Sequence, residues 1–154
     1  MIECRFKLND KSMGIFSIGA SSFPAFSGLG TDVNRRAAMC RSGTGPIPPG
    51  KYYIFDRQSG GMLGPLWDRL GGRDKRAWFS LYAIDGKIDD YLICDQITRG
   101  NFRLHPKWIY GISKGCITIE NYLDFQCIRA ILKGTQQVAV EGTSLTTYGI
   151  VSVI

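Results

Sequence analysis

Short runs of β-branched and aromatic residues, separated by turn-forming sequences, recur along this chain and constrain its fold more than any other feature. Runs of this length and composition favour strands, and the glycine- and proline-rich stretch at residues 43–50 is typical of a turn between them. The pair Asp85-Gly86 lies between two runs and predicts a hairpin. The predicted strands cover residues 4–8, 13–18, 51–56, 78–84, 88–94, 101–104, 116–119, 137–140 and 147–153. We therefore predict a mainly β fold, either a sandwich or a barrel.

One segment, residues 122–133, has the pattern of an α-helix. Asn121 precedes it as a capping residue and Gly134 follows it as a terminator, which predicts one helix over about 121–134. The apolar residues that we expect to face the sheet are Leu123, Cys127, Ala130 and Ile131. A shorter helical turn is expected around residues 65–70, where a proline stands at an early position.

Composition places the chain among ordinary globular domains. Its 154 residues include 44% hydrophobic and 21% charged residues, which excludes a disordered or coiled-coil chain and predicts a single domain over residues 1–154. The longest stretch without charge, residues 13–31, contains glycines, serines and a proline, so no membrane span is expected. The charged residues near the start are followed by no apolar segment, and we therefore expect no secretory signal peptide.

The chain is basic, with a formal net charge of +6 and a pI of about 9.2. Basic residues are scattered among acidic ones and form neither a long block nor a basic helix. This distribution argues against nucleic acid as a partner and favours a solvated basic surface or an anionic partner.

Five cysteines and a single histidine limit the metal chemistry that the chain can support. No Cys-x-x-Cys pair is present, so we predict neither a zinc site nor any cofactor. An odd cysteine count without a signal peptide suggests mostly free thiols. Four of the five are interpreted as small buried hydrophobic residues: Cys4, Cys40, Cys94 and Cys127.

The fifth cysteine, Cys116, follows a glycine and lies eleven residues after His105, the only histidine. A thiolate is a strong nucleophile but is scarce at neutral pH, and an imidazole that takes the thiol proton makes it reactive. Gly115 gives the backbone a conformation closed to other residues, and consecutive N–H groups there can face a developing oxyanion. The alternative is that a single Cys and a single His are structural residues.

Strand periodicity supports the pairing of these two residues. If residues 102–105 are extended, Arg103 and His105 share the face opposite the core, and Cys116 lies on the corresponding face of the next predicted strand. Arg103 is then a candidate ligand for a substrate carboxylate. The alternative for Arg103 is an internal ion pair with an acidic residue such as Asp95.

Several stretches, in order along nearly the whole chain, resemble one protein family. They are Phe23–Gly28, Gly45–Tyr52, Trp78–Tyr82, Arg99–Pro106 and Ser113–Thr118. The His followed at a distance by Ser-x-Gly-Cys resembles the catalytic segment of L,D-transpeptidases of the YkuD-like fold. The match is closer to the L,D-transpeptidase-like effectors delivered by bacterial type VI secretion. Ordinary cell-wall enzymes usually have His and Arg where this chain has Lys114 and Thr118.

The resemblance implies a YkuD-like β-sandwich or barrel in which Cys116 is the nucleophile and His105 the base, with Ser113 and Gly115 shaping the site. It implies L,D-carboxypeptidase and L,D-transpeptidase activity on peptidoglycan tetrapeptide stems, with water or free D-amino acids as acceptors. It further implies a toxin made in the producer cytoplasm, carried by type VI secretion components into the periplasm of a target cell, and countered by an immunity protein. The alternatives are another cysteine amidase or endopeptidase acting on peptidoglycan, and a non-catalytic module that binds the cell wall.

Overall fold

The computed structural model describes residues 1–57, 75–107 and 115–154. The strands in these ranges are β1 (Ile2–Phe6), β2 (Gly14–Ile18), β3 (Ser21–Ser27), β4 (Gly50–Asp56), β5 (Phe79–Ala83), β6 (Tyr91–Cys94), β7 (Ile97–Gly100), β8 (Arg103–Pro106), β9 (Ile117–Ile119), β10 (Val138–Ala139), β11 (Thr146–Thr147) and β12 (Gly149–Val153). The α-helix of the described ranges, α1, covers Tyr122–Lys133.

Eight of these strands close into a barrel in the order β1, β12, β4, β5, β8, β9, β3, β2. Closure pairs every strand of the barrel on both sides and leaves no open edge. The prediction of a mainly β fold with a helix at about 121–134 is confirmed, and of the two predicted architectures the structure has the barrel. Most neighbours are antiparallel, but β1 runs parallel to β12 and β8 runs parallel to β9.

The barrel is filled by alternate side chains of its strands, as the period of two in a β-strand requires. Fully buried residues of the core include Phe6, Phe16, Tyr52, Phe79 and Leu104. Large aromatic side chains at these positions remove much apolar surface from water and hold β5 and β8 in fixed positions beneath the site described below.

Helix α1 packs against β8 and β9. Its bounds were correctly predicted, and Asn121 and Gly134 occupy the two cap positions. The predicted buried face was wrong at three of its four residues, whereas Ile131 is partly buried and packs against the core. Leu123 is 77% exposed, and Cys127 and Ala130 are also exposed. The buried side chains are Phe125, Ile128 and Leu132. Both sets have helical spacing, and the set with the large aromatic residue faces the sheet because it buries more apolar surface.

Two predictions about strands were also incomplete. Strand β3 was not predicted, because Pro24 stands in its middle and proline is unusual inside a sheet. Asp85-Gly86 forms a turn, with the Asp85 carboxylate accepting a bond from the Lys87 N–H, but not a hairpin. Strand β5 pairs with β4 and β8, whereas β6 pairs with β7.

The hairpin of this region is the β6–β7 pair, which forms a two-stranded sheet outside the barrel. Its turn consists of Asp95 and Gln96, whose φ angles are 47° and 66°. Two consecutive positive φ angles are the signature of a type I′ turn, which usually contains Asn-Gly or Asp-Gly. The turn was missed because Gln is a rare residue at its second position. The helical turn expected around residues 65–70 lies outside the described residues.

The cysteine predictions were partly wrong. Cys40 and Cys94 form a disulfide, with their Cα atoms 5.2 Å apart. Cys4 is a buried thiol as predicted, but Cys127 is exposed. The disulfide joins residues 54 positions apart, a proximity that only the tertiary fold creates. In the three described ranges, no helix is long and apolar enough to cross a membrane.

Candidate active site

Parallel pairing of β8 and β9 brings the predicted nucleophile and base to one face of the barrel wall. His105 is the register partner of Thr118, and Cys116 lies two residues earlier, immediately before β9. The standard spacings of a sheet place the Cα atoms of His105 and Cys116 about 8 Å apart, which a histidine and a cysteine side chain can span. Their strand neighbours Leu104 and Ile117 point into the core, as the predicted alternation requires.

The His105 imidazole is held in one orientation by two contacts. Its Nδ1 lies 2.8 Å from the carbonyl oxygen of Pro106, and its ring stacks on Trp78 with centroids 4.3 Å apart. A carbonyl oxygen only accepts, so Nδ1 carries the hydrogen and donates it. Nε2 is therefore the basic nitrogen of the neutral ring, and a fixed tautomer of this kind is what a general base needs.

The Cys116 thiol lies next to the start of β8. Its Sγ donates to the carbonyl oxygen of Asn101 at 3.7 Å. Burial among neighbouring atoms raises the pKa of Cys116 to about 11, and the Arg103 backbone N–H with the charges of Arg103 and Arg57 opposes that rise. The raised pKa means that a base has to take the thiol proton when the sulfur attacks.

Gly115 has a φ angle of +90°, which confirms the expectation of a conformation that other residues avoid. A Cβ atom at this position would lie 2.6 Å from Nη2 of Arg99 and 2.8 Å from Cε1 of Phe102. Both the backbone angle and the lack of space therefore require glycine directly before the nucleophile.

Arg103 forms a bidentate ion pair with Asp90. Nη1 donates to Oδ1 at 2.8 Å and Nη2 to Oδ2 at 2.6 Å, and Nη1 also donates to the Phe102 carbonyl oxygen. The acidic partner of Arg103 is therefore Asp90. The sequence analysis had named Asp95 as a possible partner. The Arg103 side chain is 15% exposed, so the ion pair lies at the margin of the site.

Other residues of the site carry no role in the sequence analysis. Trp78 supports the imidazole, and the guanidinium of Arg57 lies over the Trp78 ring, 5.8 Å from its centroid. The Trp78 stretch matched the family, which is the indication that could have identified it. Ser113 and Lys114 lie outside the described residues. Within the described ranges, no group of three or more His, Cys, Asp or Glu side chains could hold a metal ion.

Thr118 also lies on the face of the nucleophile and the base. Its side chain is buried, and its hydroxyl oxygen has no hydrogen-bond partner in the part of the chain that the structure describes. Ordinary cell-wall enzymes usually have Arg at this position. The site therefore lacks a second arginine on β9 and keeps a small polar group beside His105.

Comparison with known proteins places this site in a family. A family model described as the Tlde1 domain matches residues 21–143, a range that includes both β8 and β9. The chain belongs to the Tlde1 domain family. This is the family of type VI L,D-transpeptidase effectors, which are antibacterial proteins. Comparisons with curated proteins and with solved structures give no significant match.

Proposed function

We propose that this member of the Tlde1 family is a cysteine L,D-carboxypeptidase and L,D-transpeptidase that acts as one catalytic domain on the tetrapeptide stems of peptidoglycan. The observation that carries the proposal is the arrangement of His105 and Cys116 on one face of two parallel strands, with Nδ1 of the imidazole committed to the Pro106 carbonyl. Nε2 is the nitrogen that accepts the proton of the neighbouring thiol. Membership of a family of type VI L,D-transpeptidase effectors supports peptidoglycan as the polymer on which such a pair would act.

In the first half-reaction, Nε2 of His105 takes the thiol proton as Sγ of Cys116 attacks the carbonyl that links the third stem residue, diaminopimelate in most Gram-negative walls, to the terminal D-alanine. The raised pKa of the thiol favours proton transfer to His105 during the attack, which is general base catalysis. Backbone N–H groups at Gly115 and Cys116 stabilise the oxyanion. The C–N bond then breaks, His105 returns the proton to the departing amine, and a thioester remains on Cys116.

In the second half-reaction, an acceptor resolves the thioester. His105 takes a proton from water or from the amine of a free D-amino acid, the acceptor attacks the thioester carbonyl, and the C–S bond breaks to restore the thiol. Water gives a tripeptide stem, and a D-amino acid gives an exchanged tetrapeptide. Either outcome removes the tetrapeptide donors that cross-linking requires.

Two further residues have proposed roles. Arg103 holds the carboxylate of the terminal D-alanine through the part of its guanidinium that does not donate to Asp90. Ser113 shapes the site, as the resemblance implies.

The proposed site of action is the periplasm of a target cell. The protein is made in the producer cytoplasm, carried by the type VI apparatus, and neutralised in kin cells by an immunity protein. Effector family membership supports this route.

Muropeptide analysis tests the reaction. Purified protein is incubated with tetrapeptide muropeptides, with and without a free D-amino acid, and the products are identified by mass spectrometry. We expect tripeptides and D-alanine in the first case and exchanged tetrapeptides in the second. Release of whole stems or cutting of cross-links would identify an amidase or endopeptidase instead, and unchanged muropeptides would indicate a binding module. Cys127→Ala, at an exposed cysteine on α1, is the matched control and should behave as the wild type.

Directed expression tests the site of action. A version with an added signal peptide should swell or lyse cells, whereas the same chain kept in the cytoplasm should be tolerated. Equal toxicity of the two versions would point to a cytoplasmic target and contradict the cell-wall proposal.

A further inference from the structure

The β6–β7 hairpin lies outside the barrel and depends on other contacts for its position. A two-stranded hairpin alone is marginally stable in water. This one is fixed at the end of β6 by the disulfide from Cys94 to Cys40, which lies in the segment after the short 3-10 turn Arg36–Ala38. The two cysteines are 54 residues apart in sequence, so the disulfide joins segments that no local contact brings together.

A second contact joins the same two segments. Arg99, in the middle of β7, is 97% buried and donates from Nη1 to the carbonyl oxygens of Met39 and Pro46 and from Nη2 to that of Gly45. Met39 directly precedes the disulfide residue Cys40. The same Nη2 atom occupies the space where a Cβ of Gly115 would lie. The hairpin therefore reaches from the disulfide to the residue before the nucleophile.

The open end of the hairpin lies at the thiol. The Asp90 carbonyl accepts from the Asn101 N–H at 3.1 Å, and the Asn101 carbonyl accepts from Sγ of Cys116. The Asp90 carboxylate holds Arg103, whose backbone N–H is bonded to the same sulfur. A displacement of the hairpin would move Asp90, Asn101 and Arg99 together. It would therefore disturb the groups that contact or precede Cys116, which are the Asn101 carbonyl, Arg103 and Gly115.

We propose that the β6–β7 hairpin is a positioning element of the active site and that the Cys40–Cys94 disulfide holds it there, so that the oxidised chain is active and the dithiol chain is not. The proposal rests on the proposed function of Cys116. The disulfide would then respond to the compartment, because thiols are kept reduced in the cytoplasm and become oxidised in the periplasm. The chain would thus be inactive where it is made and become active where it acts.

The redox step is an ordinary thiol–disulfide exchange. The thiolate of one cysteine attacks the disulfide of an oxidant, either a thiol–disulfide oxidoreductase or oxidised glutathione, and forms a mixed disulfide. The second cysteine displaces the oxidant. Cys40 and Cys94 together lose two electrons and two protons, and the oxidant disulfide becomes two thiols.

The test compares the oxidised wild type, the wild type reduced with glutathione that is then removed without air, and the double variant Cys40→Ser/Cys94→Ser. Two readouts are used at a temperature at which circular dichroism shows a folded chain. One is D-alanine release from tetrapeptide muropeptides, and the other is the rate at which iodoacetamide alkylates Cys116, followed by mass spectrometry of its peptide. Cys127→Ser, which removes an exposed thiol outside the hairpin, is the matched control.

We expect the reduced wild type and the double variant to remain folded, to lose kcat by roughly a hundredfold, as misplaced catalytic groups do, and to show an altered rate of Cys116 alkylation. Reoxidation should restore the wild type, and Cys127→Ser should resemble the oxidised protein throughout. Unchanged kcat and alkylation in the folded dithiol form would overturn the proposal. So would global unfolding of both forms, because the disulfide would then be a general stabiliser.

The two readouts separate this proposal from the proposed function. If the oxidised wild type released no D-alanine, the proposed function would fail, yet the redox dependence of Cys116 alkylation would still decide whether the hairpin positions the thiol.

Discussion

At the scale of the residue, Arg103 combines a structural contact with a position beside the nucleophile. Its ion pair with Asp90 is largely buried, with side-chain exposures of 15% and 18%. Loss of one partner from such a pair is costly because the other charge is left without compensation. Replacement by lysine keeps the charge and removes the planar fork, which makes it the informative change.

We predict that Arg103→Lys lowers kcat/KM for the tetrapeptide by roughly ten- to a hundredfold, equivalent to ~1.4 to 2.7 kcal/mol. A single ammonium group cannot donate two parallel bonds to the terminal carboxylate. The measurement compares a tetrapeptide with a free terminal carboxylate and one with an amidated terminus. The wild type should discriminate strongly between them and Arg103→Lys weakly. Equal discrimination by both proteins, together with a lower melting temperature of the variant, would show that Arg103 serves the fold alone.

Single residues differ in how much of their role can be predicted from sequence. Cys116 and His105 were identified as candidates because each residue type has a known chemistry and the chain has only one histidine. The Asp90 partner of Arg103 and the Arg99 contact with Gly115 could not be identified. They depend on side chains that meet across turns and loops, and local sequence does not encode those distances.

At the scale of the element, α1 shows how a helix can be located correctly and oriented wrongly. Cap residues mark where it begins and ends, and these are local features. The buried face depends on which apolar stripe fits against β8 and β9, which is a property of the packed structure.

We predict that Phe125→Ala lowers the free energy of unfolding by about 3–5 kcal/mol, because it removes a fully buried aromatic side chain from between α1 and the barrel. Leu123→Ala, at an exposed position on the same helix, should change it by less than about 0.5 kcal/mol. Urea unfolding followed by circular dichroism measures both. Similar losses for the two variants would contradict the orientation of α1.

The strands also differ in how well local sequence predicts them. Runs of alternating residues predicted β4 and β5, whose local patterns agree with their environments. Strand β3 contains Pro24 and the β6–β7 turn lacks the usual glycine, so the local pattern conflicts with the structure that is formed. Pairing across the barrel determines these elements.

At the scale of the whole molecule, closure of the barrel buries ionisable groups in their neutral forms. Burial in the core raises the pKa of the Cys4 thiol from an ordinary value of 9.0 to about 12. Burial also raises the pKa of the Tyr52 hydroxyl. The folded chain therefore holds these protons more tightly than the unfolded chain does.

We predict that stability is fully present below about pH 9 and falls as pH rises from there toward 12. A group whose pKa is raised by folding stabilises the native state only while it stays protonated, and the buried Cys4 thiol contributes a slope of about 1.4 kcal/mol per pH unit in that window. Urea unfolding at a series of alkaline pH values measures the slope. Cys4→Ala should reduce it, and Cys127→Ala, at an exposed thiol, should not. An equal slope in the wild type and Cys4→Ala would show that the buried thiol does not contribute.

The central claim is that Cys116 becomes acylated with His105 as its base, and trapping the acyl-enzyme tests it most directly. Protein mixed with tetrapeptide and quenched in acid is analysed by intact mass and by peptide mapping. We predict that the wild type carries the stem without its terminal D-alanine as a thioester on Cys116, that Cys116→Ala carries no adduct and releases no D-alanine, and that His105→Ala is also inactive. Their double variant should lose little more than either alone, since the two residues act as one unit. D-alanine release at near wild-type rate by folded Cys116→Ala, or an adduct on another residue, would contradict the account.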